Sequence, residues 1–236
     1  MSDRKDRVPA PSYSTEVDAF LRDLQRAPAV RPGGGRGRLI FALDATASRQ
    51  PSWDRACRLQ GEMFEATAAL GGLDVKLVFY RGLGECKASR WMTNAADLHR
   101  AMRAVFCEGG ETQIQRVLDH AIAETRKQRV GALVFVGDAM EENVDRLCQR
   151  AGELGLLGTP IFLFHEGGDP VAARAFRQMA KLSRGAYLSF DAASAERLKE
   201  LLAAVAVYAA GGYRALADYS RHKGGEVRLL AAQLQG

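Results

Sequence analysis

Residues 39–48 read LIFALDATAS, and this stretch is the clearest indication of the fold class. The five apolar residues 39–43 predict a buried strand, because strands covered on both faces carry uninterrupted apolar runs. The run ends at Asp44, where small and hydroxyl-bearing residues begin, as is typical of a turn from a strand into a helix. We therefore expect a strand of a parallel sheet with polar residues at its carboxyl end.

The alternation of short apolar runs with longer helical patterns continues to residue 212. Further strands are predicted at residues 74–80, 85–88, 132–136, 160–164 and 186–190. Helices are predicted at 53–70, 95–106, 113–128, 143–154, 170–182 and 195–210, with Gly211 and Gly212 ending the last of them. Strands separated by helices of this length imply right-handed crossovers. The predicted fold class is α/β: a doubly wound, mainly parallel sheet with helices on both faces and one short antiparallel edge strand.

The helix predicted at 113–128 is strongly amphipathic. Its apolar residues fit the spacing i, i+3, i+4, i+7, i+8 completely, and they are Ile114, Val117, Leu118, Ala121 and Ile122. We expect this face of the helix to pack against the sheet.

The excess positive charge of the chain lies at its two ends. The 236 residues include 33 Lys and Arg against 28 Asp and Glu, which gives a formal net charge of +5. Residues 1–38 hold 8 basic and 5 acidic side chains, residues 213–236 hold 4 and 2, and residues 39–212 hold 21 of each. A neutral body argues against a nucleic-acid-binding domain. The 47% hydrophobic and 26% charged residues exclude a disordered chain, a fibrous repeat and a coiled coil.

Composition divides the chain into three parts. Residues 1–38 carry a short amphipathic helical pattern at 15–26 and then a Pro- and Gly-rich linker, residues 39–212 form the α/β domain, and residues 213–236 form a helical tail. The sequence has no signal-type apolar region and no apolar run long enough to span a membrane. Its four cysteines lie far apart and are expected to be free thiols. These features predict a cytoplasmic protein.

Three predicted turns at one edge of the sheet carry oxygen-bearing side chains. Asp44, Thr46 and Ser48 follow the first strand, Thr112 precedes the strongly amphipathic helix, and Asp138 follows a later buried strand. Hydroxyl and carboxylate oxygens suit a hard divalent cation, Mg²⁺ first and then Mn²⁺ or Ca²⁺, and the absence of histidine or thiol from these turns argues against zinc. Helix capping is the alternative, because Ser48 and Thr112 stand where N-caps are common. The combination of all three turns in order favours the metal site.

This pattern resembles the metal-ion-dependent adhesion site (MIDAS) of von Willebrand factor A (VWA) domains, in particular the intracellular bacterial type. In that family Asp-x-Ser-x-Ser is followed by a distant Thr and a distant Asp, and the resemblance covers about residues 39–212. Two departures stand out. Thr46 replaces the usual Ser, and Gly137-Asp138-Ala139 replaces the usual Thr-Asp-Gly.

The resemblance implies roles for the five residues. The hydroxyls of Thr46 and Ser48 would bind the cation directly, Thr112 would bind it directly or through water, and Asp44 and Asp138 would act mostly through water. It also implies a non-enzymatic interaction module, in which an Asp or Glu oxygen of a partner protein completes the coordination of the cation. Because intracellular members of the family often work with ATPases or in larger assemblies, a partner of that kind is expected.

Two other functions remain open at this point. A metal-dependent hydrolase or phosphoryl-transfer enzyme would use the same edge, with Asp44 or Asp138 as nucleophile or base. A purely structural α/β scaffold would instead bind anionic partners through its basic tails. Turnover of a phosphate ester would support the enzyme. Salt-sensitive binding of nucleic acid or acidic lipid by a tail fragment would support the scaffold.

The sequence gives weaker expectations for other polar residues. Glu141 and Glu142 are expected to form a solvated acidic rim, and His165 is interpreted as a loop or capping residue. The residues Arg81, Arg90 and Trp91 are assigned to an exposed surface. Cys107 has no evident base, since His120 lies on a separate helix.

Overall fold

The computed structural model describes residues 36–59, 61–190 and 195–222. The helix predicted at 15–26, most of the linker that follows it, and residues 223–236 of the tail lie outside the described residues. The described strands form one six-stranded sheet, and their order is β3-β2-β1-β4-β5-β6. All neighbours in this sheet are parallel except β3, which pairs antiparallel with β2 at the edge. The predicted fold class is confirmed.

Strands and helices follow one another closely along the described chain, with at most ten residues between neighbouring elements. The strands are β1 (Gly37–Asp44), β2 (Leu73–Arg81), β3 (Glu85–Ala88), β4 (Ala132–Gly137), β5 (Ile161–Glu166) and β6 (Ala186–Phe190). The helices are α1 (Gln50–Leu59), α2 (Gly61–Thr67), α3 (Ala95–Arg103), α4 (Ile114–Lys127), α5 (Val144–Leu156), α6 (Pro170–Ser183) and α7 (Ala195–His222). Short 3-10 turns, Ala47–Arg49 and Ala68–Leu70, flank α1 and α2.

Helices cover both faces of the sheet and enclose two separate cores. On β1, Leu39 and Phe41 face the core built with α1, α2, α3 and α7, whereas Ile40 and Ala42 face the core built with α4, α5 and α6. All eight residues of β1 are buried, as its uninterrupted apolar run predicts. The five apolar residues predicted to face the sheet from α4 are also buried, which confirms the amphipathic pattern.

Two predicted helices differ from the structure in their bounds. The helix predicted at 53–70 is divided into α1, α2 and a 3-10 turn, and the helix predicted at 95–106 ends at Arg103. The last helix was predicted to end at Gly211 and Gly212, and Gly212 does break it, with the non-helical angles φ 71° and ψ −169°. A second helical segment follows and runs to His222, so α7 consists of two helices joined at this kink. Leu216, beyond the kink, is 5% exposed and packs into the first core.

The C-terminal helix α7 lies against the start of the first strand. A Cβ atom added at Gly37 would stand 2.4 Å from the Cα of Ala210, so only glycine allows the backbones to approach this closely. Earlier in α7, Leu202, Val205 and Ala206 are fully buried. The last described helix therefore completes the core around the first strand. In the described part of the chain, no helix is long and apolar enough to cross a membrane.

Candidate metal centre

Asp44 ends the central strand with one carboxylate oxygen bonded and the other without a partner. The residue is 1% exposed, and its Oδ1 accepts a hydrogen bond of 2.7 Å from the backbone N–H of Thr46. Its Oδ2 is buried and makes no hydrogen bond of normal geometry, nor does the buried hydroxyl of Tyr80, the residue opposite Asp44 in β2. Burial raises the pKa of Asp44 and the nearby Asp138 adds to this, while hydrogen bonding from Thr46 and the proximity of the Tyr80 hydroxyl oppose it.

The structure brings Thr46, Ser48 and Asp138 together at the carboxyl end of β1 and β4. The hydroxyls of Thr46 and Ser48 lie 3.4 Å apart, and the Ser48 hydroxyl donates to Asp138 Oδ2 at 2.9 Å. Thr46 is 9% exposed, Asp138 is half-buried and Ser48 is exposed. The group therefore extends from the buried Asp44 to the protein surface at Ser48.

Thr112 is joined to the same edge through Glu141. The hydroxyl of Thr112 accepts from the backbone N–H of Glu141 at 3.1 Å, and the Thr112 N–H donates to Glu141 Oε2 at 3.1 Å. This reciprocal pair holds the loop before α4 against the loop that carries Asp138. All five predicted site residues thus lie at the predicted edge. Asp44, Thr46, Ser48 and Asp138 are linked by hydrogen bonds, and Thr112 is tied to the loop that carries Asp138.

The capping interpretation does not account for these hydroxyls. Thr46 makes no side-chain capping bond to the 3-10 turn that follows it, and Ser48 donates across to Asp138. The N-cap of α4 is Gln113, which makes no side-chain capping bond either. Instead, the carboxylate of Glu142 accepts from the backbone N–H groups of Ile114 and Gln115, at 2.5 and 2.9 Å. The expectation that Glu142 belongs to a solvated rim is therefore wrong, because its charge caps the first turn of α4.

His165 was expected to be a loop or capping residue, and the structure places it inside the fold at the end of β5. It is 1% exposed, its Nε2 lies 3.1 Å from the backbone oxygen of Asp138, and its Nδ1 lies 3.0 Å from the Tyr187 hydroxyl. Burial lowers the pKa of His165, so the ring is neutral at pH 7. Because a carbonyl only accepts, Nε2 carries the proton and donates to Asp138, and Nδ1 accepts from Tyr187.

Arg49, the residue after Ser48, forms a buried ion pair with Glu166, the residue after His165. Arg49 is 3% exposed, and its guanidinium forms an ion pair with the carboxylate of Glu166 at the end of β5. Neither residue attracts attention in the sequence, because they are far apart in the chain and Arg49 stands in a stretch that looks like an exposed turn. Only the sheet order places the end of β5 beside these loops.

The donors present fit a hard divalent cation. Among the described residues, no three side chains of His, Cys, Asp and Glu form a candidate metal-binding group. The cluster instead offers two carboxylates and three hydroxyls, which are oxygen donors suited to Mg²⁺. The buried Asp44 Oδ2 is an acceptor without a donor, and such an atom is stabilised by a cation or by water that the cation holds. The Gly137 that departs from the family pattern leaves room for the Phe135 ring, 2.8 Å from where a Cβ would stand.

A second buried carboxylate, Glu124 of α4, has a different environment. It is 5% exposed and accepts hydrogen bonds from Lys76 at 2.9 Å, from the Trp91 indole at 2.9 Å and from Lys127 at 2.8 Å. Arg38 lies 3.7 Å from the same carboxylate and stacks 3.9 Å above the Trp91 ring. Burial raises the pKa of Glu124, but these donors outweigh it and lower the value to about 2. Trp91 is therefore half-buried in a structural network, contrary to its assignment to an exposed surface.

Solved structures with similar folds include several VWA domains. Proximal thread matrix protein 1 from the mussel byssus, solved with a zinc-occupied MIDAS motif, matches with a TM-score of 0.57 and 15% identity over 74% of this chain and 46% of its own. The SpRpn10 VWA domain matches with a TM-score of 0.53 and 10% identity, over 73% of this chain and 94% of its own. The vWF domain of the type V pili tip protein Mfa5 from Porphyromonas gingivalis matches with a TM-score of 0.55 and 10% identity, over 72% of this chain and 96% of its own.

These likenesses establish the fold. The chain has the VWA fold, so the resemblance drawn from the DxTxS pattern is confirmed at that level. The chain spans less than half the length of the mussel protein that it matches. No protein-family model matches the sequence, and the comparison with curated proteins found no match.

Proposed function

We propose that this VWA-fold chain is a non-enzymatic protein-interaction module that binds an acidic side chain of a partner protein through a divalent cation. The cation would be held at Asp44, Thr46, Ser48, Thr112 and Asp138. The observation that carries the proposal is the buried Asp44 carboxylate, whose Oδ2 lacks a donor beneath a surface cluster of hydroxyls. The zinc-occupied MIDAS of the mussel protein supports metal binding in this fold.

Each residue has a distinct task in this proposal. Ser48 and Thr46 present neutral hydroxyl oxygens toward the surface, while Asp44 and Asp138 supply negative charge from below and beside them. A cation held largely by neutral oxygens keeps its attraction for a further anionic ligand, and that ligand is the partner carboxylate. Mg²⁺ is the first candidate because every donor is an oxygen, with Mn²⁺ or Ca²⁺ as substitutes.

An enzymatic role for Asp44 has less support. A nucleophile or general base must reach its substrate, and Asp44 is 1% exposed. Turnover of p-nitrophenyl phosphate by the wild-type chain, lost in Asp44→Asn, would contradict the proposal and favour the hydrolase.

Metal binding is tested first by thermal unfolding in chelator-treated buffer with added Mg²⁺ or Mn²⁺. A ligand that binds only the folded state stabilises it by about 2.7 kcal/mol at 100 times its Kd, so millimolar metal is expected to raise Tm by several degrees. Asp44→Ala should abolish the increase. Glu65→Ala, which removes an exposed carboxylate on α2, is the matched control and should retain it.

Partner binding is tested by capture from a native cell extract with and without chelator. The proposal expects a protein that is retained by the wild-type chain with Mg²⁺, and is lost with chelator or with Asp44→Ala. Acid-to-amide substitutions in the recovered protein must then identify one carboxylate on which retention depends. Capture that is independent of metal, or a metal without effect on Tm, would overturn the proposed function.

A further inference from the structure

The distance between Ser48 and Asp138 depends on how two separate loops are held. Ser48 belongs to the loop after β1 and Asp138 to the loop after β4, and they meet through one hydrogen bond of 2.9 Å. Both loops leave the sheet at its carboxyl edge, beyond the last backbone pairs of the strands. Contacts from elsewhere must fix their relative position if they are to present a constant set of ligands.

The first such contact holds the Ser48 loop. Arg49 immediately follows Ser48, and its buried guanidinium is paired with the carboxylate of Glu166. The two side chains are 4% and 13% exposed, so the ion pair lies in a low-dielectric setting where geometry is strongly specified.

The second contact holds the Asp138 loop. His165 donates from Nε2 to the backbone oxygen of Asp138, and the Tyr187 hydroxyl holds the other ring nitrogen. The imidazole also packs against Phe176 in a T-shaped arrangement, with ring centroids 5.4 Å apart and planes at 90°. The ring is thus fixed in position and in tautomer by three neighbours.

The two contacts come from consecutive residues of one strand. Successive side chains of a strand point to opposite faces, so His165 and Glu166 reach the two loops from the two faces of β5. We infer that His165 and Glu166 are positioning residues that set the spacing of Ser48 and Asp138 for the cation, with Arg49 and Tyr187 as their partners. This inference rests on the proposed function.

The test separates metal affinity from fold stability. The Kd for Mn²⁺ is measured by isothermal titration calorimetry at 25 °C, and stability without metal is measured by urea unfolding. In the double variant Arg49→Met/Glu166→Leu, apolar side chains of similar volume replace the buried pair, which is often neutral for stability. Removing partners behind the ligands of a metal typically weakens affinity 10- to 100-fold. We expect this variant to keep the fold and to bind Mn²⁺ about 10-fold more weakly.

Tyr187→Phe tests the second contact with a smaller change. It removes only the hydroxyl that holds His165 Nδ1, so the protein should fold and its Mn²⁺ Kd should rise about three-fold. The matched control is Glu124→Gln, which disrupts another buried carboxylate network away from this edge. That variant should lose stability and keep the wild-type Kd.

The outcomes distinguish this inference from the proposed function. A wild-type chain that does not bind Mn²⁺ overturns both. A wild-type chain that binds Mn²⁺, with unchanged Kd in the double variant and in Tyr187→Phe, overturns only the positioning role. A Kd that rises in Glu124→Gln as much as in the double variant also overturns it, because affinity would then merely follow stability.

Discussion

Asp44 and Glu124 are both buried carboxylates, 1% and 5% exposed, and their surroundings are opposite. Glu124 is enclosed by two ammonium groups, an indole N–H and a guanidinium. Asp44 has one backbone donor on Oδ1 and none on Oδ2, and its charged neighbour is another carboxylate, Asp138.

These surroundings show that the fold supplies donors for the Glu124 charge but not for the whole of the Asp44 charge. Burial raises the pKa of a carboxyl group in both places, but the donors around Glu124 reverse the effect and those around Asp44 do not. Glu124 therefore stabilises the native state as an ion, whereas the buried Asp44 ion costs stability. This cost is the reason for proposing that a cation binds beside Asp44.

The largest effect is expected for Glu124→Gln. The amide cannot pair with Lys76 and Arg38, and removing one partner of a buried ion network leaves their charges uncompensated. We expect the free energy of unfolding in urea to fall by about 3 kcal/mol. Glu153→Gln, which affects the partly exposed ion pairs with Arg126 and Arg150, should change it by less than about 1 kcal/mol. An equal loss of unfolding free energy in both variants would show that the network around Glu124 stabilises the protein no more than partly exposed ion pairs do.

The stability that Glu124 contributes should depend on pH, because the pKa of this carboxyl group is lowered in the folded protein. Glu124 titrates at about 2 in the folded protein, and an unfolded glutamate at about 4.3. Its stabilisation is therefore fully present above about pH 4.3 and is lost as the pH falls toward 2. Urea titrations at a series of pH values should show the stability difference between wild type and Glu124→Gln shrinking over this range. A difference that is constant from pH 7 to pH 3 would contradict the assignment.

A smaller change of opposite sign is expected for Asp44→Asn. Asparagine can keep the acceptor for the Thr46 N–H while removing the buried charge, so stability without metal should rise by about 1 kcal/mol at pH 7. Because the folded pKa of Asp44 is raised, the wild type gains stability as the pH falls through that value, and the advantage of the variant should diminish. Urea unfolding in chelator measures this. A variant less stable than wild type at pH 7 would show that the Asp44 charge is already satisfied.

The sequence was sufficient for the fold because strand and helix patterns are local. The buried run 39–43 and the face of α4 that carries Ile114 and Val117 lie as predicted, since burial on one or both faces leaves a direct trace in residue spacing. The helix break at Gly212 was also foreseen, but the sequence did not show that Leu216, in the helical segment after it, packs into the same core.

The site was only partly predictable. Asp44, Thr46 and Ser48 form a short motif, so their proximity could be foreseen, and the alternating strands place Asp138 beside them. The contacts of Arg49 with Glu166 join residues 117 positions apart, and no spacing rule connects them. Glu142 was misjudged for the same reason, since its role as a cap depends on a helix that begins 28 residues earlier.

The packing of α7 against Gly37 has a consequence for synthesis. Strand β1 pairs with β4, where Leu39 meets Ala132, and its other surface is closed by the helix that contains Leu202 and Leu216. Contacts this distant in sequence form only when the intervening chain is available. A nascent chain still lacking Leu216 would hold the loop of Asp44 on an uncovered sheet. The first and last parts of the domain thus complete one core, and we expect that core to form only after almost all of the domain has left the ribosome.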